Sequence, residues 1–157
     1  MLYLLNTVLC LIVLCCCVKR KEYRYTIIAA LILLYYVFSH LQGDVDILDN
    51  TQVFGLLQRL TLIVLAVYTV VTAKKSIHKK LDIPVAVLSC VACVFRFIRT
   101  YLFRSFTAKI KLDAAATRML YEKFTLYYMP IDSVVNISLL IVLICIAGKL
   151  RKTKGNQ

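Results

Sequence analysis

The side chains able to do chemistry are few and scattered. Seven cysteines, two histidines and eight carboxylates stand among 157 residues. Cys90 and Cys93 form a C-x-x-C pair, a spacing that zinc and redox sites use. Either use needs an accessible, charge-activated thiol and further ligands, and no histidine stands nearby. Cys10, Cys15, Cys16, Cys17 and Cys145 also lie in apolar stretches, where cysteine acts as a small hydrophobe and no disulfide framework is expected. Cys15-Cys16-Cys17 beside Lys19-Arg20-Lys21 is where S-palmitoylation would be expected in a eukaryotic host, with packing or lipid contact the plainer reading. Asp44, Asp46 and Asp49 include the D-x-D that opens an EF-hand loop, but the third ligand spacing and the closing glutamate are missing. A solvated acidic loop is expected. His40 and His78 are expected at opposite ends of the bundle, so they cannot share a site. The sequence therefore predicts no catalytic set, no cofactor and no metal centre.

Four arginines remain as candidates: Arg59, Arg96, Arg99 and Arg104. What they do depends on the elements that hold them. With 61% hydrophobic residues, 4 Gly and 2 Pro, the chain has more apolar surface than one small soluble core can hide. That surface comes in blocks, at about 2–18, 25–41, 53–73, 81–103 and 133–149. A helix needs about 17–25 apolar residues to cross a hydrocarbon slab. The blocks are continuously apolar, which favours helices over the alternating strands of a barrel. The predicted fold is an all-α integral membrane protein, a bundle of four to five transmembrane helices forming a single polytopic domain over 1–157. The short extramembrane segment is expected at about 104–132, with Asp113 capping a helix through AAATRMLYEKFTLYY and Pro130 closing it. Asp132 and Ser133 would cap the last span.

The charge pattern orients the bundle. Lys and Arg cluster at 19–24, 74–80 and 149–154, four in each, whereas loop 42–51 is acidic and has no basic residue. Five crossings with the N-terminus outside put all three clusters inside. Seven basic residues in 96–123 then lie outside, which offends the positive-inside rule. Two resolutions suggest themselves: Arg96, Arg99 and Arg104 pair with Asp44, Asp46 or Asp49, or the fourth block does not cross. Arg59, about two turns into an apolar block, is expected to snorkel toward the acidic loop.

Two local resemblances bear on function. The stretch VFRFIRTYLFR resembles the arginine helix of voltage sensors for one repeat, after which the spacing goes from three to five. MPIDSVVNISLLIVL, around Asp132, resembles the last aspartate motif of lipoprotein signal peptidases over about fifteen residues, which would imply an intramembrane aspartyl protease. The asparagine-rich first motifs and the partner aspartate of that family have no match here. The net charge of +12 sits in clusters at block ends and reads as a topology signal, so no nucleic acid is expected.

The expected function is non-enzymatic: an oligomeric membrane sensor, anchor or assembly subunit of a larger complex, in a plasma or bacterial inner membrane. Expected partners are the lipid bilayer, further copies of the chain or another membrane subunit, and anionic lipid at the basic clusters. The alternatives are a homo-oligomeric pore, anion-preferring through its arginines, and, by analogy of size alone, a toxin-immunity or phage-defence component.

Overall fold

The computed structural model describes residues 2–44, 50–76, 79–107 and 114–152, with side chains placed for 4–41, 53–76, 80–102, 126 and 129–151. Over these residues it is all-helical: α1 (Leu2–Lys19), α2 (Tyr23–Asp44), α3 (Asn50–Lys74), α4 (Lys79–Thr107) and α5 (Ala114–Lys152). Uninterrupted runs of Leu, Ile, Val and Ala favour this outcome, because a helix satisfies every backbone group within its own segment. The α1–α2 turn ends α1 in a Schellman arrangement, Glu22 N–H bonding Cys17 C=O and Lys21 N–H bonding Val18 C=O, both at 3.0 Å. Lys21 takes the left-handed conformation there (φ 56°), where glycine is the common choice.

Each helix packs on its neighbours in sequence, and α1 also packs on α5, closing a ring with a thin α2–α5 contact across it. The core is supplied largely by Tyr25, Ile28, Ile32, Tyr35 and Tyr36 of α2 and by Val135, Leu139, Leu143 and Ile146 of α5. From α1 come Cys10, Val13 and Cys17. Buried polar groups on this side are paired across helices: Asn6 donates to the Tyr36 hydroxyl at 2.9 Å, and the Cys10 thiol donates to Ala29 C=O at 3.1 Å.

The outward faces are as apolar as the core. Leu5, Ile12, Ile27, Leu34, Leu60, Val64, Val67, Val87, Val94, Ile137 and Ile144 are all exposed, so every helix presents large aliphatic side chains to its surroundings. In water such contiguous apolar surface would drive aggregation. Four stretches are long and apolar enough to cross a membrane: Tyr23–Leu41, Val53–Lys74, Lys80–Leu102 and Met129–Arg151. The apolar part of α1, Leu4–Lys19, is shorter.

One expected boundary is overturned. Pro130 does not close a separate helix, since α5 runs unbroken through it for 39 residues. Proline removes one amide and crowds one carbonyl, a local defect that a long, well-packed helix tolerates. Asp132 and Ser133 consequently lie inside a helix and do not cap one; the Ser133 hydroxyl bonds back to Met129 C=O at 2.7 Å. The start of α5 at Ala114 agrees with the expected helix, whereas its proposed cap, Asp113, lies outside the described residues.

Candidate functional site

The polar side chains inside the bundle gather at two levels. On α4, Asp82 and Arg96 are separated by 14 residues, or about 21 Å of helix, so the two levels lie toward opposite ends of the bundle.

At the first level a carboxylate holds three elements. Asp82 lies in the first turn of α4, where the helix dipole favours a negative charge, and is only 2% exposed. It accepts a hydrogen bond from the Tyr25 hydroxyl at 2.8 Å and another from the Ser76 hydroxyl, and it pairs with Arg24 at 3.1 Å. Lys149 reaches the same point from α5, donating to the Tyr25 oxygen at 2.9 Å while its ammonium lies 4.3 Å from the Tyr25 ring centroid. Arg20 donates to the Leu150 carbonyl, tying the α1–α2 turn to α5. These contacts bring Arg20, Arg24, Ser76 and Lys149, drawn from the three basic stretches, to one end of the bundle.

At the second level two of the candidate arginines, Arg96 and Arg99, find partners. Arg96 is 5% exposed, donates to the side-chain oxygen of Gln58 on α3, and meets Asp132 of α5 at 3.3 Å. Arg99, one turn further along α4, meets the other Asp132 oxygen at 3.1 Å. Asp132 thus lies between two guanidinium groups. Asn136, one turn along α5 and 2% exposed, donates to the Asp132 carbonyl at 2.8 Å. The Gln58 amide nitrogen and the Asn136 side-chain oxygen are buried with no hydrogen-bond partner among the described residues.

No family model, no curated protein and no solved structure matches this chain. The reading of the site therefore rests on its own geometry.

That geometry supplies a partner the expected pairing did not include. Arg96 and Arg99 are bound to Asp132 of the neighbouring helix. The side chains of Arg104, Asp44, Asp46 and Asp49 lie outside those described. Arg59 is half-buried, and its Nε donates to Gly55 C=O of its own helix at 2.8 Å. An aspartyl protease requires two carboxylates sharing a proton. Asp132 instead faces arginines, and Asp82 belongs to the other level.

Gln58, Tyr25 and Asp82 were not expected as partners of the basic residues. A signal was present. A charge in an apolar block needs an opposite charge at the same depth on a neighbouring helix, and Asp82 and Asp132 are the two acids that border apolar blocks at those depths. Among the cysteines, Cys10 and Cys17 are buried, Cys15 and Cys16 are exposed, and Cys90, Cys93 and Cys145 are half-buried. Among the described residues no three His, Cys, Asp or Glu side chains gather into a metal-binding group.

Proposed function

We propose that this chain is a non-enzymatic membrane subunit that crosses the bilayer five times and acts through contacts, with copies of itself or with another membrane protein. One observation carries the reading. Arg96 turns inward from α4 and, with Gln58, Asp132 and Arg99, ties α3, α4 and α5 together. Between its polar ends the outer surface is left aliphatic, suited to lipid and to the close packing of other helices. The end bearing the three basic clusters faces the cytoplasmic leaflet of a plasma or bacterial inner membrane, where anionic lipid is the partner of opposite charge. A sensor, an anchor or an assembly factor would each use this architecture.

The second reading is an anion-preferring pore, favoured by the gathering of Gln58, Arg96, Arg99 and Asn136 at one depth. Two measurements on the purified chain separate the readings. Extraction in a mild detergent followed by mass measurement is expected to give a defined assembly larger than the 17.9 kDa chain. Planar-bilayer recording is expected to show no unitary currents. A lone monomer at every protein and lipid concentration would sink the subunit reading. Unitary currents whose selectivity changes with Arg59→Gln or Arg96→Gln would replace it with the pore.

A further inference from the structure

Among the described residues, the outer surface carries a recess apart from the two polar levels. Between the end of α3 and the outer face of α4 lies an open groove of about 670 Å³, lined by Val70, Ala73, Ala86, Cys90, Val94 and their neighbours. Its lining on α4 runs from Ile83 to Phe95, or about 18 Å of helix. That length is close to one leaflet of a hydrocarbon slab about 30 Å thick. The small side chains of Ala73, Ala86 and Cys90 leave the space that large ones would fill. Lys74, an exposed cation in the last turn of α3, lines the same groove.

Lys74 stands at the basic end of the bundle, together with Lys75 and Lys80. The carboxylate of this part of α4, Asp82, is buried against Arg24, Tyr25 and Ser76, so it does not neutralise the mouth of the groove. The recess is therefore apolar along its length and cationic at its polar end. An anionic phospholipid has the complementary form. We propose that the α3–α4 groove holds one anionic phospholipid, its phosphate on Lys74 and one acyl chain along Ala86, Cys90 and Val94. This inference rests on the membrane reading above and narrows its lipid partner to one site.

Native mass spectrometry of the full chain in a neutral detergent tests it, with phosphatidylglycerol and phosphatidylcholine of identical acyl chains as probes. One phosphatidylglycerol is expected to remain bound at concentrations where phosphatidylcholine does not. Lys74→Gln is expected to weaken retention about fivefold, the equivalent of about 1 kcal/mol for one lysine at a lipid surface. Lys75→Gln, outside the groove lining, is expected to change it less. Cys90→Phe, which fills the groove, is expected to abolish retention, and if that variant does not fold, the lysine pair alone decides. Equal retention of the two lipids, or an unchanged Lys74→Gln protein, would overturn the site. The oligomeric mass is read in the same spectrum, so loss of the lipid site and loss of the subunit reading are separately visible.

Discussion

Replacing Asp132 by alanine is expected to destabilise the bundle by about 3 kcal/mol, at the lower end of the range for removing one partner of a buried ion pair. The cost comes from what is stranded. Arg96 is 5% exposed and would lose its carboxylate while keeping its bond to Gln58. Arg99 would lose less, because its side chain is 29% exposed and water or headgroups can reach it. Asp132→Asn keeps an acceptor but no charge and should fall between the two. Removing both charges, Arg96→Met with Asp132→Leu, should be far milder than either single change, since apolar replacement of a buried pair is often neutral. Unfolding by titration from mild into denaturing detergent gives the four values of the cycle. Additive costs for the two single substitutions would show that Arg96 and Asp132 do not depend on each other.

Asp82→Ala is the counterpart at the basic end, with an expected loss of about 3–5 kcal/mol because one buried carboxylate serves several partners. Its removal leaves Arg24, the Tyr25 hydroxyl and Ser76 without their shared acceptor. Tyr25→Phe gives the measured comparison. It keeps the ring beneath Lys149 but deletes the hydroxyl that joins Lys149 to Asp82, and hydrogen bonds to charged groups are worth about 1.5–3 kcal/mol. The expected order of damage in the same titration is therefore Asp82→Ala above Tyr25→Phe, with Lys75→Ala, an exposed residue at the same end, near zero. An Asp82→Ala protein as stable as the parent would mean that the basic end is held by aliphatic packing alone.

Much of the helical framework was legible because charge brackets hydrophobicity in this chain. The block at 53–73 became α3, Asn50–Lys74, and the block at 81–103 became α4, Lys79–Thr107. The break at Pro130 was misjudged because proline's local cost was weighed without the packing that carries α5 through it. The partners of Arg96 and Arg99 were hidden for a different reason. These helices carry apolar residues all round, so no polar face fixes their rotation, and which arginine turns inward is decided by neighbours. Depth could be read from sequence and direction could not. That is why Arg96 and Arg99 were singled out while Asp132, on the next helix, was assigned to a cap.

The proposed function requires a bundle that threads the membrane five times with its three basic clusters on one side. Single cysteines at Lys75, Thr153 and Asp46, in a cysteine-free background, can be probed with a membrane-impermeant maleimide in intact cells and in lysed ones. Positions 75 and 153 are expected to label only after lysis, and position 46 in intact cells. Labelling of 75 and 153 from opposite sides would contradict the five-crossing bundle.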